Sequence, residues 1–199
     1  MLPQEIVFIS IATSLFAGFF YLRDTLKGET KPNRITWLIL VIAPAVAAGV
    51  QFQKGAGLSA LPIFMAGVVP FFVFLASFKN KNSYWKLGVF DYVCLALSLL
   101  AIFFWLYLKE GVLATILAIL ADLIAFAPTY KKSWDYPNTE TITPYLSGSF
   151  NALLSLFTLS FFSFNTAGFA VYLFFCNLIE VILVLYRRKV LAKDLSKVL

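Results

Sequence analysis

The chain has 199 residues, 61% of them hydrophobic and 13% charged, with a formal net charge of +6 and a mean hydropathy of +0.86. That composition excludes a soluble domain, and long unbroken apolar runs exclude an outer-membrane barrel, which needs short alternating segments. Histidine is absent, and the two cysteines, Cys94 and Cys176, stand alone in apolar runs. Redox chemistry, transition-metal sites and histidine-based catalysis therefore lose their usual residues, so no enzyme, cofactor or metal is expected.

Seven stretches are long enough to cross a hydrocarbon layer about 30 Å thick. They lie at 5–22, 35–52, 59–78, 90–108, 112–130, 142–163 and 166–186. The N-terminus carries Glu5 where a signal peptide is basic, so the first helix is expected to be retained. Basic residues sort by side. The loops after helices one, three and five and the tail hold four, three, two and five Lys/Arg, and the remaining two of the 16 lie on the opposite side. The positive-inside rule then places the N-terminus outside and the C-terminus in the cytoplasm, with a plasma or inner membrane as the expected location.

Helix one carries Ser10, Thr13, Ser14 and Gly18 on one face. Small residues so spaced allow close helix packing or line a cavity. The following loop holds Pro32 and Asn33, a helix-start signal with Asn33 as the expected cap. Helix two has Pro44 at its middle, helix three has Gly67 and Pro70, and both are expected to bend there. Helix three ends among Lys79, Lys81, Trp85 and Lys86.

The fourth stretch is expected to be a linker. Two three-helix units can run parallel only if one further helix crosses between them. In helix five, Asp122 lies about 15 Å deep at 1.5 Å per residue. A carboxylate there must face the interior, find a partner or carry a proton. Pro128 is expected to close that helix. The next loop repeats the proline-asparagine signal at Pro137 and Asn138, and Pro144 sits in the first turns of helix six. Ser147, Asn151, Ser155 and Thr158 then form one polar face. Asn177 and Glu180 are neighbours on helix seven, where Glu180 is expected to reach toward Arg187 or water. In the tail, Leu191, Leu195 and Val198 alternate with lysines at helical spacing, which predicts a short helix lying on the inner leaflet.

The expected architecture is all-α: two parallel three-helix bundles, 1–81 and 111–189, joined by a linker helix at 82–110 and followed by a basic tail at 190–199. The two Pro-Asn signals are 105 residues apart, and the basic helix ends at Phe78 and Tyr186 are 108 apart. With these features the chain resembles the SWEET and PQ-loop superfamily of small-solute transporters over nearly its whole length. Both dipeptides read Pro-Asn where that family's pattern has Pro-Gln, and Asn177 matches the family's substrate-contacting asparagine in the third helix of the second repeat. Vitamin-precursor carriers of the Pnu type share the plan, and KDEL-type receptors share it without transport.

The resemblance implies a carrier working by alternating access on a sugar-, vitamin- or nucleoside-like solute. The alternative is a receptor or scaffold of the same build. The residues themselves point the same way, because polar groups meeting proline-broken helices at mid-depth mark transporter sites. The expected substrate-binding residues are Ser14, Asp122, Ser147, Asn151 and Asn177, with hinges at Pro44, Pro70, Pro128 and Pro144. Asp122 and Glu180 are the candidates for proton coupling, and Asn151 is the expected partner of Asp122. Expected partners are membrane lipid, a small-molecule solute and, as an option, further copies of the chain in a homo-oligomer, with no nucleic acid.

Overall fold

The computed structural model describes residues 2–28, 34–81 and 88–198, and its elements among them are helices and short helical turns. The helices are α1 (Ile9–Lys27, entered through a tight turn at Gln4–Phe8), α2 (Arg34–Gln53), α3 (Leu61–Ser77), α4 (Val89–Phe103), α5 (Gly111–Asp135), α6 (Thr143–Thr158) and α7 (Phe164–Val198). Taken with the helical turns that continue them (Gln4–Phe8 before α1, Gly57–Ala60 before α3, Phe104–Leu108 after α4), six are long and apolar enough to cross a membrane. The sixth in order, α6, has 16 residues and falls short of the 142–163 span expected, because the chain turns extended at Leu159.

The burial pattern is that of a protein dissolved in lipid. Large side chains such as Phe16 (66% exposed) and Phe52 (69%) point outward, while Ser10, Ser14, Ser98, Thr115 and Ser155 are buried beside many alanines. In water such a surface would aggregate; in a bilayer, small residues let backbones approach while apolar ones meet acyl chains. The molecule is an integral membrane protein.

Local chemistry sets the helix ends. Gly28 caps α1 in a left-handed conformation at φ 78°, donating its N–H to the carbonyls of Asp24 and Thr25. The Asp91 carboxylate accepts the Gly88 N–H at 2.8 Å to start α4. Ser163 and Thr166 bond reciprocally, side chain to backbone, at 2.9 and 3.2 Å to start α7. The last turn of the fourth stretch, Phe104–Leu108, widens to a π-helix that stops at Lys109.

Pro44, Pro70 and Pro128 are interior to their helices. Pro128 therefore does not close α5, which continues to Asp135. Pro144 occupies the first turn of α6, where a missing N–H costs nothing, so it starts that helix and is no hinge within it. Pro137 and Asn138 form a separate short turn before α6. Pro32 and Asn33, like Trp85 and Lys86, lie outside the described residues. The tail is helical as expected but is no separate surface helix, since α7 runs unbroken for 35 residues to Val198.

Packing follows a simple order. In the first half α3 lies against both α1 and α2, and in the second α7 lies against both α5 and α6. Across the halves α1 meets α6, α2 meets α5, α3 meets α6 and α2 meets α7, while α4 rests on α5 and α2. The central core is built from Ala43, Val46 and Ala47 of α2, Ala114 and Ala118 of α5, Ala152 of α6 and Phe169 of α7. Gly67 lets α3 approach α2 beside Pro44, where a Cβ would sit 3.1 Å from the Val41 carbonyl oxygen.

Candidate functional site

Four ties between the halves gather toward the amino-terminal end of the bundle. The fully buried Gln51 of α2 donates to the Thr166 carbonyl at 2.8 Å. Ser155 of α6 donates to the Ser59 carbonyl at 2.7 Å, and the Leu2 N–H to the Phe157 carbonyl at 2.9 Å. The fourth tie is Asn151. Its amide nitrogen donates to Ser14 Oγ at 2.7 Å and its oxygen accepts from Thr13 Oγ1 at 2.8 Å, so α6 is pinned to the small-residue face of α1. Two expected site residues, Asn151 and Ser14, are thus brought together. Each such bond between membrane helices contributes about 0.6 kcal/mol, so the set holds the two halves together only modestly.

At the opposite, basic end several arginines hold their own half together. Arg34 reaches the Ser77 carbonyl at 3.0 Å and covers the Phe78 ring. Arg187 donates to the Trp134 carbonyl at 2.9 Å and stacks over its ring, while Arg188 donates to the carbonyls of Pro137 and Glu140. Glu140 in turn accepts from Lys132 at 2.7 Å and from the Tyr145 hydroxyl at 2.9 Å.

Asp122, 2% exposed, does not meet Asn151. It accepts a hydrogen bond from the Tyr172 hydroxyl of α7 at 2.8 Å. The physical reason is helix order: α7 sits between α5 and α6, so these two consecutive helices are not neighbours. Glu180 departs from expectation as well. It is fully buried and accepts from the Ser133 hydroxyl of α5, while Arg187 is engaged with Trp134. The second carboxylate oxygen of Glu180 has no partner. Between these acids, Tyr130 of α5 donates to the Cys176 carbonyl at 2.8 Å and approaches its Sγ at 3.1 Å. The α5–α7 seam therefore carries a column of polar groups from mid-depth toward the basic end.

Asn177 is buried and turns back on its own helix, donating to the Leu173 carbonyl at 2.8 Å. Its face abuts Gly148, where a Cβ would come within 2.8 Å of the amide oxygen. Ser147, one residue away, has a hydroxyl oxygen buried without a partner. Asn177 and Ser147 thus border the α6–α7 contact, apart from the Asn151 latch. Sequence reasoning missed Tyr130, Ser133 and Tyr172. The usable signal was spacing, since Tyr172, Cys176 and Glu180 follow one another at four-residue steps, as facing residues on a helix do.

No cluster of metal-ligating side chains occurs among the described residues. The conspicuous surface hollow, about 700 Å³, is apolar and lies between α2, α3 and α4, and none of the expected substrate-binding residues lines it. Compared with known protein families, with curated proteins and with solved structures, the chain has no match.

Proposed function

We propose that the chain is a carrier for a small polar solute, working by alternating access between two three-helix repeats, α1–α3 and α5–α7, with α4 as the linker. The observation that carries this reading is the symmetry of the helix contacts. Exchanging α1, α2 and α3 for α5, α6 and α7 turns the α1–α6 contact into α5–α2 and the α3–α6 contact into α7–α2, and all four are present. Two like units meeting around a common axis, with buried polar groups near their interface, have the geometry of a rocking carrier.

In this reading the amino-terminal end is the closed gate, held by Asn151 and its companions, and faces outside. The basic end faces the cytoplasm of a plasma or inner membrane, as the distribution of lysine and arginine supports. Asn177, Ser147 and Asp122 are the groups offered to solute once the halves part, with Pro44, Pro70 and Pro128 as the points where the helices yield. Asp122 is the candidate coupling group, because a buried carboxylate without a basic partner responds to proton supply.

The test is flux. Purified protein in proteoliposomes is screened with sugars, nucleosides, vitamins and amino acids, preselected by thermal shift. Accumulation of one class, with pH dependence lost in Asp122→Asn while exchange persists, is the expected result. Binding that stabilises the protein without any flux would instead assign a receptor of the same build, and the absence of both would sink the proposal.

A further inference from the structure

The α5–α7 seam contains more polar chemistry than helix packing requires. Four titratable side chains of two helices lie there in sequence, Asp122, Tyr172, Cys176 and Tyr130, and the fifth, Glu180, lies one turn further toward the basic end. Tyr172 donates to Asp122 at 2.8 Å, Cys176 follows Tyr172 one turn further along the same helix, and Tyr130 approaches the Cys176 Sγ at 3.1 Å. We propose that Tyr172, Cys176 and Tyr130 form a proton relay joining Asp122 at mid-depth to Glu180 near the basic end. The proposal rests on the reading of Asp122 as the coupling acid, and on no particular solute.

Phenol and thiol suit such a chain because each both gives and takes a proton. Protonation of an Asp122 carboxylate runs as a set of hops. The Tyr172 O–H bond breaks as the Asp122 O–H bond forms, and the Cys176 S–H bond breaks as the Tyr172 O–H bond is restored. The Tyr130 O–H bond then breaks as the thiol is restored. Glu180 gives its carboxyl proton to Tyr130 and is itself refilled from water at the basic end. The three relay groups end as they began, and one proton has moved. One helical turn, about 5.4 Å, separates the Tyr130 level from that of Glu180, a gap that one water molecule spans. The free second oxygen of Glu180 is the atom left to close it.

The surroundings favour this path. Around Asp122, α4 brings Cys94 as an electrostatic neighbour, and Ile35 and Ile39 of α2 pack with Cys94 and Ala125 in an apolar cluster. Around Glu180, α5 brings Ser133, Tyr130 and Lys132, α6 brings Tyr145, and the loop before α6 brings Glu140. Lys132 and Glu140 form an ion pair in which the lysine is about half exposed, which sets the lower end of the column beside solvent.

The experiment needs no solute. Purified protein in lipid nanodiscs is given a proton pulse from a photolysed caged acid, and the rise of the Asp122 carboxyl C=O band, identified by its loss in Asp122→Asn, is followed by infrared spectroscopy. Tyr130→Phe and Cys176→Ala should slow that rise on the order of 10²-fold while leaving its final amplitude. Cys176→Ser, which keeps a group able to relay, should retain most of the rate and guards against mere misfolding. Cys94→Ala should leave it unchanged. Wild-type rates in Tyr130→Phe and Cys176→Ala, slowing in Cys94→Ala alone, or an Asp122 band that never responds to the pulse would each overturn the relay. None of these results depends on whether any solute is transported.

Discussion

The α1–α3 and α5–α7 seams occupy corresponding places in the two halves, yet they are held by different forces. In the first, Gly18 receives Val69 so closely that a Cβ on the glycine would lie 2.5 Å from a valine methyl. In the second, Asp122, Tyr130 and Ser133 of α5 are hydrogen-bonded to Tyr172, Cys176 and Glu180 of α7. The same helix-on-helix contact is achieved once by shape and once by polar pairing. Close packing at a glycine leaves the first seam without titratable groups at that contact, whereas the second brings two carboxyl groups, two phenols and a thiol together.

The comparison breaks most sharply at Gly18. Gly18→Leu should abolish the close approach of α1 and α3 and destabilise by about 3 kcal/mol, the upper range for overpacking. Thermal unfolding in detergent would register this, and partial recovery in Gly18→Leu with Val69→Ala would show that shape alone is at issue. If instead Gly18→Leu unfolds like the parent, the first seam is not held by close packing.

A smaller effect belongs to Tyr172→Phe, which removes one hydroxyl from the second seam without changing its volume. Leaving Asp122 without that donor should cost about 1–3 kcal/mol. In the double variant with Asp122→Asn the cost should not be the sum of the two, since they share one bond. Additive losses would mean that the hydroxyl and the carboxylate do not interact in the membrane.

The smallest change concerns the latch between the halves. Asn151→Leu deletes the bonds to Thr13 and Ser14, worth together about 1 kcal/mol at roughly 0.6 each. Stability should hardly change, whereas a cysteine placed at Ser10 should become more reactive from the amino-terminal side. Unaltered labelling would place the gate elsewhere.

Much of this arrangement can be read from the residues, and the exceptions have physical causes. Hydropathy and charge locate the apolar stretches because lipid imposes length and polarity on every crossing segment. The small face of α1 is legible because Ser10, Ser14 and Gly18 repeat at helical spacing, and all are buried. The partners of Asp122 and Glu180 were hidden because pairing depends on helix order. With α7 placed between them, α5 and α6 are neighbours in sequence but not in space. Tyr172 was overlooked for a further reason: in a chain with nine tyrosines, a tyrosine in an apolar run reads first as lipid contact. Pro128 misled because a proline ends helices in water, whereas in a bilayer the alternative to continuing the helix is a set of unsatisfied backbone groups.

The unbroken α7 has a mechanical consequence. Its 35 residues make a rod about 52 Å long at 1.5 Å per residue. That exceeds the hydrocarbon layer by about 20 Å. A stiff rod held along its inner length by α5 and α6 is a lever, and its free end travels further than the helix contacts that tilt it. A probe on Lys189, beyond the Arg187 and Arg188 clamps, would therefore magnify any rocking of the second half into a displacement large enough to measure by distance-sensitive spectroscopy.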